Sequence, residues 1–164
     1  MAQCKYCSKK GLFLSVTKNG LCKYCEVKLQ STLQNNMRRI GDSERIIETS
    51  KNPKTISERL VFLIELLSEF RAFEERGIQV FNHSIDALIE DKACAGNEVL
   101  LKILEAKFLV TLEKIKTIKT EKAKINLFEK FVLEAIDFKG YINKEGSNYD
   151  KSLDSIDIWI KELS

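Results

Sequence analysis

Cys4-Lys5-Tyr6-Cys7 and, fourteen residues later, Cys22-Lys23-Tyr24-Cys25 decide how the rest of this 164-residue chain is read. Two residues between cysteines form a tight knuckle that aims both sulfurs at one point. Two such pairs at this spacing provide four thiolates for a tetrahedral Zn²⁺, with Zn–S bonds of about 2.3 Å. Disulfides or a redox pair are the competing reading. The odd total of five cysteines, an N-terminus without the apolar core of a secretory signal, and the lack of a βαβ pattern near either pair all argue against it. Cys4, Cys7, Cys22 and Cys25 are therefore expected to hold one zinc ion. Four thiolates leave no coordination position for water, so the site is expected to be structural.

Between the pairs, Gly11-Leu12-Phe13-Leu14-Ser15-Val16 reads as a short strand. Asn19-Gly20 is a turn signal, and Leu21-Cys22 starts the return strand. After Cys25, Glu26-Val27-Lys28-Leu29-Gln30 is good helix-forming sequence, which puts the second knuckle in a first helical turn. Knuckle, hairpin and a helix carrying the last two ligands resemble a treble-clef zinc finger. Residues 1–28 are thus expected to be a Cys4 finger, too small to fold without its metal, and residues 29–164 a helical bundle.

Outward from the finger, apolar residues recur at helical spacing. The first helix is expected from about Lys23 to Thr49, with Leu29, Leu33, Met37, Ile40 and Ile47 as its stripe, before a break at Ser50-Lys51-Asn52-Pro53-Lys54. A second helix from Thr55 or Ser57 carries Ile56, Leu60, Leu63, Leu67 and Phe70 and ends at Gly77. Ser84 caps a third, read as one helix through Ala95-Gly96-Asn97 to Lys119, with Leu101, Leu104, Phe108, Ile115 and Ile118 on one face. The fourth runs from Thr120 to Gly140 with Phe128, Phe131, Leu133, Ala135 and Ile136 inward. Ser147 and Asp150 form a capping-box pattern before the last, marked by Tyr149, Leu153, Ile156, Ile160 and Leu163. Five helices on short links predict an all-α fold: an antiparallel long-helix bundle or helical-hairpin stack behind a small N-terminal β-hairpin finger. A weak self-similarity at an offset of 63 residues pairs Ser57 with Thr120, Ala72-Phe73 with Ala135-Ile136, and Gly77 with Gly140. Any two amphipathic helices ending in glycine produce part of it.

Composition agrees. One proline, seven glycines and 31% charged residues describe a helical globular chain. No apolar run reaches the roughly 18 residues of a membrane span. A cytoplasmic location, no membrane partner and no small-molecule substrate are the expectations. Charge is concentrated at the start: six lysines against Glu26 alone give residues 1–28 a net +5, and the remainder carries −2. A zinc tetrathiolate carries −2, so a loaded finger stands near +3, and part of the lysine excess neutralises the cluster. Lys5, Lys9, Lys10, Lys18 and Lys23 are the residues available for nucleic-acid contact, with Tyr6 and Tyr24 placed to stack or to pack on the hairpin.

The finger, from Cys4-Lys5-Tyr6-Cys7 through Gly11-Leu12-Phe13-Leu14 to Gly20-Leu21-Cys22-Lys23-Tyr24-Cys25, resembles that of a poorly characterised bacterial and phage group. There it precedes a long helical region and, in some members, a HIRAN domain, a type associated with DNA ends. Phe73-Glu74-Glu75-Arg76-Gly77-Ile78 and Lys122-Ala123-Lys124-Ile125-Asn126 are similar to the helical region, while only the finger is specific. On this resemblance the chain is expected to stop before a HIRAN domain begins. A metal-binding adaptor without catalytic residues is implied.

Other residues are weak candidates. His83 has no partner at ligand spacing, Cys94 between alanines reads as a small helix-contact residue, and Lys114, Lys116, Lys119, Lys122 and Lys124 read as a solvated helix junction. Trp159 is either core or an exposed anchor. No phosphate loop, Ser-His-Asp set or HExxH motif occurs. The expectation is a non-enzymatic zinc protein acting as an adaptor toward a protein partner or a second copy of itself, with a nucleic-acid-binding regulator as the alternative.

Overall fold

The computed structural model describes residues 2–164. Five long helices and one single-turn helix follow a two-stranded hairpin, so the chain is all-α with a small N-terminal hairpin carrying four cysteines. The hairpin pairs β1 (Ala2–Gln3) antiparallel with β2 (Lys10–Gly11). α1 spans Lys23–Thr49, α2 Pro53–Ser68, α3 Arg71–Glu74, α4 Ile85–Thr117, α5 Glu121–Tyr141 and α6 Tyr149–Leu163. The segments 1–28 and 29–164 share α1, which runs unbroken across their boundary.

Local chemistry explains most boundaries. Asn52 caps α2, its side chain accepting from the Thr55 N–H, and Pro53 occupies the first turn, where its missing N–H costs nothing. Ser84 caps α4 through the Ala87 N–H. Gly77, with φ +69, closes α3 in a Schellman motif: the Ile78 N–H reaches the Phe73 carbonyl and the Gly77 N–H the Glu74 carbonyl. Ile78 and Phe73, the residues that meet apolar-to-apolar in such a motif, are both buried.

α4 is the spine. It packs on α2 toward its start and on α5 and α6 toward its end. It passes through Ala95-Gly96-Asn97 as one helix, and each of those special residues has a packing reason. Gly96 lets α2 approach so closely that a Cβ there would lie 2.5 Å from the Leu60 Cδ2 atom. Asn97, fully buried, hooks the α5–α6 loop: its Nδ2 donates to the Asn143 carbonyl at 3.0 Å and to Asn148 Oδ1 at 2.9 Å, and its Oδ1 accepts from the Asn143 N–H at 2.7 Å. Phe108 gathers Phe131 of α5 and Trp159 of α6 around it, so Trp159 packs against the core and is no exposed anchor. One apolar cluster continues from Cys4 and Leu21 in the finger to Ile156 in α6.

Several local expectations are corrected. Residues 12–13 form a turn, so the expected strand is interrupted: Gly11 pairs with Ala2 in the hairpin, and Val16 makes an isolated bridge to Cys22. α2 ends at Ser68, nine residues before Gly77, where the Phe70 N–H tightens onto the Leu67 carbonyl and Phe70 buries its ring edge-on to Phe81. α5 turns Phe131, Ala135 and Phe138 inward and leaves Leu133 and Ile136 exposed. Met37 is exposed on α1, where Asn36 and Ser43 are buried instead. The Ser147–Asp150 capping box does not form: Asn148 is the cap residue, and the Ser147 hydroxyl lies 3.5 Å from Cys94 Sγ. Residues matched at the 63-residue offset differ in role, since Gly77 terminates α3 while Gly140 lies inside α5.

Candidate metal centre

The first knuckle is built by the backbone. The Cys4 N–H donates to the Lys9 carbonyl at 3.0 Å and the Ser8 N–H to the Cys4 carbonyl at 2.9 Å. Closing the loop this tightly puts Ser8 in the left-handed region, φ 59, which few residues with a side chain adopt. The second loop is closed by the Thr17 N–H on the Leu21 carbonyl and the Gly20 N–H on the Thr17 carbonyl, each at 2.8 Å. Gly20 takes φ +74, and a Cβ there would meet the Lys5 side-chain stem at 2.9 Å. The Lys5 N–H donates to the Gly20 carbonyl at 2.9 Å and ties the two loops together. Cys22 caps α1 and Cys25 sits in its first turn. Glu26 receives the Thr17 hydroxyl at 2.9 Å and the Asn19 amide at 3.2 Å, which fixes the loop onto the helix start.

These constraints bring the four sulfurs within 4.8 Å of one another. Cys4, Cys22 and Cys25 are buried and Cys7 lies at the surface. A tetrahedron with bonds of about 2.3 Å has sulfur–sulfur edges of about 3.8 Å. Cys7 Sγ and Cys22 Sγ stand 3.9 Å apart, a match to that edge and too far for a disulfide. None of the five cysteines is paired in a disulfide.

The electrostatics of the donor set also call for a cation. Burial pushes the Cys4 thiol up, but the N–H groups of Cys7, Cys22 and Tyr6 directed at its sulfur outweigh that and hold it near about 6. The Cys22 N–H lies 3.3 Å from Cys4 Sγ. Burial, reinforced by the thiols of Cys22, Cys7 and Cys4 and by charge on Cys4, pushes Cys25 up to about 12. Cys4 thus favours the thiolate, while Cys25 resists it. A bound divalent cation reverses that resistance. The residues present fit a metal ion held by four thiolates.

The lysines Lys5, Lys9, Lys10, Lys18 and Lys23 are all exposed and none is drawn into the cluster. The two knuckle tyrosines are not equivalent. Tyr6 stacks on Phe73 at 4.5 Å between centroids, with the Arg76 guanidinium 4.7 Å from its ring centroid and the Lys28 ammonium donating to its hydroxyl at 3.2 Å. It fastens the finger to the α3 turn, while Tyr24 stays exposed. No local pattern points to this partnership, because Phe73 lies 67 residues away. In sequence Glu26 reads only as part of the helix-forming run and as the sole acid of residues 1–28; its loop contacts depend on the hairpin. His83 is exposed in the loop before α4, Cys94 is a half-buried helix residue, and of the junction lysines Lys124 pairs with Glu121. No family model matches the chain, and neither the curated proteins nor the solved structures contain a match, so the resemblance to the HIRAN-bearing group gains no support from them.

Proposed function

We propose that Cys4, Cys7, Cys22 and Cys25 hold one zinc ion in a treble-clef finger, and that the chain is a non-enzymatic adaptor whose finger and helical body form one surface for partners. The observation that carries this reading is the convergence of four sulfurs within 4.8 Å on a backbone already closed around them. When bound, zinc would supply cross-linking energy that so small a segment cannot draw from apolar burial. Four thiolates fill its coordination shell, which favours a structural over a catalytic role. Support for a protein partner comes from the body, where α5 leaves Ile125, Leu133 and Ile136 exposed beside Phe128, Val132 and Ile160.

Native mass spectrometry tests the metal. One zinc per chain is expected, lost in Cys22→Ser while the helical signal of the body largely remains. A folded, metal-free native chain, or one with its knuckles disulfide-linked, overturns the proposal. A nucleic-acid role is favoured by one observation, the exposure of all five candidate lysines. Binding would weaken with salt at a log–log slope of about −0.9 per phosphate contacted on a duplex. Against it, residues 1–28 contain no arginine, the side chain suited to bidentate phosphate and base contacts.

A further inference from the structure

The turn after β2 carries the most exposed large apolar residues among the described residues. Leu12 is 83% exposed and Phe13 100%. Among the described residues neither is drawn into the core, whereas Leu14, next along, is half-buried against it. Lys9 and Lys10 lie immediately before this tip, and Lys18 follows in the next turn, all exposed. The only carboxylate in residues 1–28, Glu26, is committed to Thr17 and Asn19. The tip therefore presents an apolar apex on a surface whose free charge is uniformly positive.

We propose that this tip inserts into the interface of an anionic lipid bilayer, with Leu12 and Phe13 entering the headgroup–acyl boundary and Lys9, Lys10 and Lys18 against the lipid charge. Charge complementarity selects an anionic partner, and three features select a lipid surface among anionic ones. The apex protrudes, whereas base stacking needs a flat aromatic platform along a groove. Half of it is aliphatic Leu12, which offers no stacking face to a single-stranded base. Lysine point charges suffice for a diffuse anionic surface, where each is worth about five-fold in binding. An apolar tip together with several lysines combines the two contributions that set interfacial binding, buried apolar area and attraction to anionic lipid. The expectation of no membrane partner rested on the lack of a spanning segment and does not bear on such contact. The inference rests on the proposed zinc-held finger, because the tip is aimed by the hairpin that the cysteines close.

The experiment uses the full chain with its zinc content measured first, so that loss of the finger is separated from loss of lipid binding. Co-sedimentation compares vesicles of phosphatidylcholine with vesicles containing 30% phosphatidylserine, and fluorescence anisotropy offers an oligo-dT strand in parallel. Expected are binding to the anionic vesicles alone, at least ten-fold weakening in Lys9→Glu/Lys10→Glu, and loss in Leu12→Ser/Phe13→Ser. Phe13→Trp should retain binding and shift its emission to the blue when vesicles are added. All these positions are exposed, so the variants should keep wild-type zinc content and helicity. Zinc-loaded protein that ignores the vesicles overturns the inference and leaves the metal assignment standing. Vesicle binding that survives Leu12→Ser/Phe13→Ser, or oligo-dT binding that depends on Phe13 without vesicle binding, also overturns it.

Discussion

Three glycines lie inside helices, and the packing assigns them opposite signs on replacement by alanine. At Gly41 in α1 and Gly140 in α5 a Cβ would meet nothing within 4 Å. Alanine there adds helix propensity and reduces the freedom of the unfolded chain, worth about 0.5–1 kcal/mol of stabilisation. At Gly96 the same gain is set against a Cβ placed 2.5 Å from Leu60 Cδ2 and 3.1 Å from its Cδ1. Leu60 is itself completely buried, so relieving that contact means re-seating a core side chain. Overpacking of this kind costs about 1–3 kcal/mol. Gly96→Ala should therefore be destabilised by up to about 2 kcal/mol, and by about 1–3 kcal/mol relative to Gly41→Ala. In a chain of this size each kcal/mol moves Tm by about 2–4 °C. Urea and thermal unfolding of the zinc-loaded proteins, followed by far-UV circular dichroism, read the difference. A background variant isolates the cause: in Leu60→Ala, which removes the obstructing methyls, Gly96→Ala should become stabilising. If Gly96→Ala raises Tm as Gly41→Ala does in the wild-type background, the close α2–α4 approach is wrong.

Other outcomes follow from single contacts. Asn97→Ala strands the Asn143 N–H and carbonyl in a partly buried loop and should cost about 1–3 kcal/mol, measured as a lower urea midpoint; Asn97→Asp keeps the acceptor for the Asn143 N–H but cannot donate to the Asn143 carbonyl or to Asn148 Oδ1, so it should not restore wild-type stability. Tyr6→Ala removes the Phe73 stack and the Arg76 contact and should loosen the finger by about 2 kcal/mol, seen as faster amide hydrogen exchange over residues 73–78 at unchanged zinc content. Chelation of the metal should speed proteolysis within residues 2–22 while the α4–α6 signal stays helical; cooperative loss of all helicity would contradict a body that stands without its finger.

What the sequence made legible was whatever depends on neighbours in the chain. The cysteine knuckles, the Thr17–Gly20 turn, the Ser84 cap and the length of α1 are local matters of spacing and backbone chemistry, and each is present. Readings failed where distant packing decided. Leu12-Phe13-Leu14 has the composition of a strand, but its neighbours Lys10–Gly11 pair across the first knuckle with Ala2–Gln3, and the chain turns immediately afterwards. α5 is apolar over too wide an arc for periodicity to choose a face. Contact with α4 selects Phe131, Ala135 and Phe138 and strands Leu133 and Ile136. The α2–α3 break carries no glycine or proline, and only the burial of Phe70 against Phe81 reveals it. Part of the candidate site was hidden for the same reason: Tyr6 acquires its role from Phe73 and Arg76, which no local pattern connects to it.

X-ray absorption at the zinc edge of the protein purified without added metal probes the centre of this account. A shell of four sulfurs at about 2.3 Å with no nitrogen or oxygen neighbour is the predicted spectrum. A shell containing oxygen or nitrogen donors, or protein without zinc whose cysteines are paired as disulfides, would contradict it.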